Sequence, residues 1–359
     1  MKVLHVCESI TGGIATYLNE LIPHQISLYG IENIKLIVAR QQVTELTVPP
    51  SIISTFEELN RKSVIAQWKM AGTYKTNVAE FQPSVVHLHS TFAGFWFRIP
   101  LLFTRNKPYK IVYCSHGWAF DMQKPMLIKR IFAAIEKVLL RHTDHVVCIS
   151  EHDKRSAKSF GMRDEKLTVV RNTIELADDE IVPESLDSKF VNFLYVGRFD
   201  KQKGFDILAE AVRMSHNTRF RVHCIGSFVV SSNDAKESFD DPRLISLGWK
   251  QKKDVLQYMK GCDALIVPSR WEGFGLVVLE ALVCGCPVFH SGAGGLSEIL
   301  PNSEFSTQLA KPIKQSLVNM FNSVEEKSLR ATKNKLKKEY TLTYTMQDLA
   351  AALDEIYLS

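Results

Sequence analysis

Pro268-Ser269-Arg270-Trp271-Glu272-Gly273-Phe274-Gly275-Leu276-Val277-Val278-Leu279-Glu280-Ala281 decides the reading of this chain. It follows an apolar strand-length run, Ala264-Leu265-Ile266-Val267, and passes into an apolar, helix-like run that ends near Gly285. Glu272 and Glu280 therefore flank a glycine turn at the C-terminal end of a strand. In open α/β sheets that edge is where ligands bind. Gly273 and Gly275 let the backbone approach a ligand, and the new helix offers unpaired N–H groups suited to an anion. A phosphate-bearing, hydroxyl-rich molecule suits such a site, a nucleotide sugar before most others.

Working outward, strand-like runs alternate with amphipathic helix-length segments, twice over, which predicts parallel α/β layers. The first series is Lys2 to Cys7, Asn33 to Val38, Val85 to His89, Ile111 to Ser115, His145 to Ser150 and Leu167 to Val170. The second is Phe193 to Val196, Phe220 to Ile225, Leu244 to Leu247, Ala264 to Val267 and Pro287 to Phe289. The polar, acidic stretch between them, with Ala177-Asp178-Asp179-Glu180 and Pro183, reads as a linker. The expected domains are 1–174, a linker 175–189, 190–338, and a final helical segment 339–359.

The whole chain sets the bounds. Its 359 residues are enough for two full cores. No apolar run reaches the roughly 18 residues of a membrane span, and the apolar start at Val3 to Cys7 is strand-length rather than a signal peptide. A cytoplasmic protein is the expectation. Seven cysteines include no C-x-x-C pair, so buried thiols are expected rather than disulfides or zinc. A net charge of +5 makes no case for nucleic acid. Between residues 92 and 141, however, Arg98, Arg105, Lys107, Lys110, Lys124, Lys129, Arg130, Lys137 and Arg141 interleave with Phe92, Phe95, Trp96, Phe97, Phe103, Tyr109, Trp118 and Phe120. Such a segment fits an anionic membrane surface. A solvated face over core aromatics would look the same.

Four other motifs sit at strand ends. Gly12-Gly13 precedes an expected helix, Ile14 to Leu28, and is either a plain turn or a phosphate or sugar contact. Gly197-Arg198…Lys203-Gly204 follows the first strand of the second series, where two cations beside a helix start could neutralise a diphosphate. His116-Gly117 could place an imidazole on a sugar hydroxyl, although a lone histidine is more often structural. Gly294-Gly295…Glu298 is a second glycine turn, one βα unit after the carboxylates. The D-x-D pair common in metal-dependent sugar transfer is absent from the sequence, so no metal and no cofactor is expected.

In order and spacing these residues resemble family 4 glycosyltransferases of the two-lobed GT-B type, over nearly the whole chain. Glu272 to Glu280 matches that family's E-x7-E, Gly197-Arg198…Lys203-Gly204 its GR-x4-KG, and Gly294-Gly295…Glu298 its GG-x-x-E. Val86-His87-Leu88-His89-Ser90, His116-Gly117 and Gly12-Gly13 are similar to its first-lobe landmarks. The resemblance implies two Rossmann-like lobes facing across a cleft, with the last helix crossing back to the first lobe. It also implies a retaining transferase that uses a nucleotide sugar, UDP-linked first and GDP-mannose second, without metal. Glu280 would bind the ribose, Glu272 the transferred sugar or its developing positive charge, and His116 the sugar near the acceptor. Arg198, Lys203 and the Gly275-Leu276 backbone would hold the diphosphate. Gly13 would press on the donor, with Gly197, Phe274, Gly294 and Gly295 lining it. The acceptor would be lipid-linked or an oligosaccharide in surface polysaccharide synthesis, at the cytoplasmic membrane face.

Two departures stand out. Asn172-Thr173-Ile174-Glu175 replaces the common Asn-Gly-Val/Ile-Asp, and Tyr340-Thr341-Leu342 lacks a tryptophan. Two other readings compete with transfer: a nucleotide-sugar 2-epimerase, which needs no acceptor and against which E-x7-E argues, and a non-catalytic nucleotide-sugar-binding module.

Overall fold

The computed structural model describes all residues but 11, 58–63, 104–106, 176–180, 229–238 and 301–302, and leaves the side chains of 64–69 undescribed. The acidic linker tetrad 177–180 and Arg105 thus lie outside the described residues. Two compact units form: Met1–Glu175 with Tyr344–Ser359, and Leu176–Thr343.

In the first unit the strands are β1 (Val3–Cys7), β2 (Ile34–Ala39), β3 (Ile53–Phe56), β4 (Val85–His89), β5 (Lys110–Cys114), β6 (His145–Cys148) and β7 (Leu167–Val169). They pair in parallel in the order β3-β2-β1-β4-β5-β6-β7. Helices α1 (Gly13–Tyr29), α2 (Val64–Phe81), α3 (Thr91–Arg98), α4 (Met126–Leu139) and α5 (Glu151–Ser159) connect them. Parallel strands covered on both faces read as near-continuous apolar runs, as in Val-Leu-His-Val-Cys of β1, buried at every position and broken only by His5.

The second unit holds β8 (Val191–Val196), α6 (Phe205–Met214), β9 (Phe220–Ile225), β10 (Leu244–Gly248), α7 (Lys252–Gly261), β11 (Ala264–Val267), α8 (Leu276–Val283), β12 (Val288–His290), α9 (Leu296–Ile299), β13 (Ser306–Gln308), α10 (Ile313–Ser323) and α11 (Glu326–Glu339). Its sheet order, also parallel, is β10-β9-β8-β11-β12-β13. Phe193, Tyr195 and Ala264 pack toward one core, while Leu194, Leu265 and Val267 pack toward another. The winding direction reverses between β1 and β4 and again between β8 and β11. Each reversal opens a crevice at the carboxyl ends of those strands.

Strands β3 and β13 extend the expected series. Ile-Ser-Thr-Phe and Ser-Thr-Gln are short, largely polar edge strands, so they lack the apolar run that marks a central strand. The chain after 180 is already packed: Ile181 and Leu186 sit against the second core, and Glu184 N donates to Gln257 O at 2.9 Å. The expected helix from Glu339 instead begins at Met346, as α12 (Met346–Leu358). Thr345 and Asp348 form a capping box that fixes this start.

The basic aromatic segment divides. Arg98 is not a surface cation: it is fully buried, stacked 3.8 Å from the Tyr113 ring centre and paired with Glu136 at 2.6 Å. Phe97, Trp118 and Phe120 also belong to the core. Exposed are Phe103, Met126, Leu127, Ile131 and Val138, beside Lys124, Arg130, Lys137 and Arg141. All seven cysteines are free and buried. Among the described residues no helix is long and apolar enough to cross a membrane.

Candidate active site

In the second unit the two loops that leave the reversal point, after β8 and after β11, carry the predicted residues. Gly204 takes a left-handed conformation (φ 70°) to open α6, and a Cβ there would lie 2.2 Å from Pro268 O. The loops therefore touch backbone to backbone. Arg270 ties them further. Its N–H donates to Gln202 O at 2.8 Å, and its guanidinium grips Asp206 through two bonds of 2.6 and 2.7 Å. Nothing in the spacing of the sequence distinguished Arg270 or Asp206, because a pair 64 residues apart has no local signature.

That brace brings Lys203 to Glu272, Nζ to Oε2 at 2.6 Å, with Ser269 Oγ 3.3 Å from the same oxygen. The lysine and glutamate side chains are 25% and 11% exposed, so the pair is largely desolvated yet open on one side. Arg198 stands nearby on the same loop, held by Asp200 (Nε to Oδ2, 3.0 Å) and Gln202 (2.6 Å). Gly275 (φ 98°) caps α8, whose first-turn N–H groups have no intrahelical acceptor. Glu280 is buried one turn in, with Lys252 Nζ 4.0 Å away. Phe274 and Leu276 are buried and anchor the turn rather than standing free.

The second glycine turn supports the first. Gly295 N donates to Glu272 O at 3.2 Å, and a Cβ on Gly294 (φ 60°) would fall 1.8 Å from that same carbonyl. Gly294→Ala must displace the Glu272 loop. We expect a loss of about 1–3 kcal/mol in stability from overpacking, together with loss of ligand binding. Gly248 also has a positive φ (68°) but no neighbour within 4 Å, so Gly248→Ala should bear only the backbone strain, ~1–2 kcal/mol. Urea denaturation of the two variants checks this; equal costs, with ligand binding intact in both, would remove the supporting role of Gly294.

In the first unit, Gly13 is exposed as the first residue of α1, after Gly12 in a positive-φ conformation (82°). His116 follows β5 with φ 53°, an unusual conformation for a side-chain-bearing residue. It ends a row of imidazoles that no local motif connects. In register, His5 pairs with His87, and β5 brings Cys114 beside His89. His5, His87 and His89 thus share one face of the sheet, while Val86 and Leu88 face the opposite core. Burial pushes His5 and His116 down to about 4, and His87 and His89 well below the usual imidazole range. The ring nitrogens of His5, His87 and His89 lie within 4.8 Å of one another, the one such set among the described residues that could hold a metal ion. Two of those nitrogens already share a hydrogen bond, His5 Nδ1 to His89 Nε2 at 3.0 Å.

Known proteins bear on this geometry. Residues 11–178 match the family described as Glycosyltransferase Family 4, and residues 178–340 the family Glycosyl transferases group 1. An uncharacterised 41.2 kDa protein in the cps region of Klebsiella pneumoniae is 28% identical over 94% of this chain and 96% of its own length. The UDP-Gal:alpha-D-GlcNAc-diphosphoundecaprenol alpha-1,3-galactosyltransferase of Escherichia coli is 26% identical over 67% of this chain and 64% of its own. Anabaena Alr3699/HepE, crystallised with UDP and glucose, superposes with a TM-score of 0.79 over all of both chains at 18% identity. The last likeness is one of fold.

Proposed function

Because this chain belongs to the family 4 glycosyltransferases, we propose that it moves a hexose or N-acetylhexosamine from a UDP-sugar to a lipid-linked or saccharide acceptor in surface polysaccharide synthesis, with retention and without metal. The observation that carries this reading is the Lys203–Glu272 pair, set beside Arg198 and the start of α8 at the reversal point of the second sheet. When the bond to the diphosphate breaks, its electron pair leaves with the phosphate and positive charge grows on the sugar ring. Lys203, Arg198 and the Gly275-Leu276 backbone are assigned to the first charge, and Glu272 to the second. Glu280 is assigned to the ribose. Phe274, Gly197, Gly294 and Gly295 shape the donor bed, and Gly13 and His116 are assigned to the donor sugar.

UDP is supported by the fold likeness to the UDP-bound HepE, and a lipid diphosphate acceptor by the name of the Escherichia coli relative. The test is release of nucleotide from a panel of UDP- and GDP-sugars in EDTA, with Glu280→Ala as control. Release of one nucleotide, abolished in the variant, is expected. No binding to any donor would sink the reading, and turnover only after a divalent ion is restored would remove its metal-free part.

The acceptor side is proposed to work at an anionic membrane surface. Leu127, Ile131 and Val138 form an exposed apolar strip on α4, flanked by Arg130 and Lys137. An interfacial helix has this mixture, apolar residues beside cations. Sedimentation with phosphatidylglycerol vesicles at low salt should carry the protein down, and Leu127→Glu with Ile131→Glu should leave it in solution. Equal sedimentation of the two would refute docking through α4.

A further inference from the structure

The row of imidazoles under the first sheet has a direction. Gln25, on α1, directs its carbonyl Oε1 at His5 Nε2 over 2.7 Å and its amide Nε2 at Tyr357 Oη over 3.3 Å. The short distance suits N–H···O and is tight for a bond between two nitrogens. A carbonyl oxygen only accepts, so His5 must carry its proton on Nε2. A neutral imidazole with one protonated nitrogen presents a lone pair on the other, so His5 Nδ1 accepts. Its neighbour is His89 Nε2 at 3.0 Å, which must donate. His89 Nδ1 is then an acceptor, and its partner is His116 Nε2 at 2.9 Å, which donates in turn. The last free nitrogen is His116 Nδ1, which has no hydrogen-bond partner among the described residues.

We propose that Gln25, His5 and His89 are a one-way hydrogen-bond relay that locks His116 in the Nε2–H form, so that its Nδ1 meets the bound sugar only as an acceptor from a hydroxyl. The proposal rests on the assignment of His116 to the donor sugar. Three features make the relay selective rather than incidental. All of its members before His116 are buried, so no water can substitute for a missing partner. Each bond determines the next, because each neutral ring has one donor and one acceptor. The Tyr17 ring stands edge-on to His116, centroids 5.1 Å apart at 73°, and restrains the rotation of that ring.

The chemical consequence is a choice of ligand group. A bare Nδ1 favours a hydroxyl hydrogen and repels phosphate, carbonyl or carboxylate oxygens, which bring lone pairs of their own. The opposite tautomer would have the reverse preference. Gln25, His5 and His89 are therefore positioning residues that set what His116 recognises without touching the sugar.

The direct test is long-range 1H–15N correlation of the imidazole rings in the full-length, 15N-labelled protein at neutral pH, with His5, His89 and His116 assigned from single His→Gln variants. Neutral rings with the proton on Nε2 at all three positions are expected. A proton on Nδ1 of His116, or a cationic ring there, would overturn the proposal. Gln25 Oε1 is the acceptor opposite His5 Nε2. Gln25→Leu removes it and should abolish the single-tautomer signature of His116, lowering kcat on the responsive UDP-sugar by about tenfold, by analogy with the outer-shell partners that orient metal-bound histidines. An unchanged His116 signature in Gln25→Leu refutes the relay, and tautomer mixing without loss of fold in that variant supports it. Full turnover of His116→Gln would remove the assignment of His116 to the donor while leaving the measured tautomers standing, so the two failures are separable.

Discussion

Lys203→Ala will lower turnover by roughly a hundredfold or more, the scale seen when one donor to a developing oxyanion is removed. In the proposed metal-free reaction, the charge that grows on the diphosphate has to be met by side chains and N–H groups. Lys203 is placed for that task by two constraints. Its backbone N–H is held by Asp200 Oδ1 at 2.8 Å, and its ammonium is held by Glu272 at 2.6 Å. Alanine removes the cation from the phosphate and also leaves Glu272 without its nearest counter-charge. Both losses fall on the transition state, so kcat and kcat/KM should drop together. The neighbouring Lys201 is exposed, and Lys201→Ala should stay within about twofold as a surface substitution. Steady-state kinetics well below the melting temperature separate this from instability. Near-normal kcat in Lys203→Ala would reject the role.

Acid will destabilise the first unit between about pH 6.5 and pH 4, before most carboxylates are protonated. Burial holds His5 and His116 down to about 4, and His87 and His89 lower still, against an ordinary value of 6.5. The sign follows from proton uptake. Across this window the unfolded chain binds protons at these histidines and the folded chain does not, so stability falls as pH falls. Above 6.5 the contribution is complete. For the fully buried His5 alone, a shift of that size is worth on the order of 3 kcal/mol, a large share of the 5–15 kcal/mol that holds a typical domain together. His223, also lowered to about 4 by burial, adds the same tendency in the second unit. Urea denaturation from pH 7.5 to pH 4.5 should give a slope steeper than one proton, about 1.4 kcal/mol per pH unit. A flat profile would show that the rings are not buried neutral.

The central strands and the strand-end loops were legible because both depend on local composition. Largely apolar runs marked β1, β4, β8 and β11, and glycines before helices marked the turns at 197–204, 273–275 and 292–295. Edge strands β3 and β13 lacked that signal. Arg98 was misread for a physical reason: composition shows a cation but not the Glu136 carboxylate and Tyr113 ring that let it enter the core. The clamp of Arg270 on Asp206 and the series Gln25, His5, His89, His116 were hidden for a related reason. Their partners come from different βα units, and only the strand order brings them together. His87 and His89 in Val-Val-His-Leu-His resemble an ordinary strand until β1 is placed beside it.

The return of α12 to the first unit has a consequence for the order of synthesis. Tyr29, Gln25, His87 and Lys110 all bond to Asp354 or Tyr357. Their own strands and helices leave the ribosome early, while those partners emerge only after the whole of Leu176–Thr343 has been made. At the ordinary 5–20 residues per second, the interval is on the order of 10–35 s. During that time His87 and the Gln25 amide of the nascent first unit lack the Tyr357 hydroxyl that they bond in the finished fold, and the gap closes only when α12 arrives.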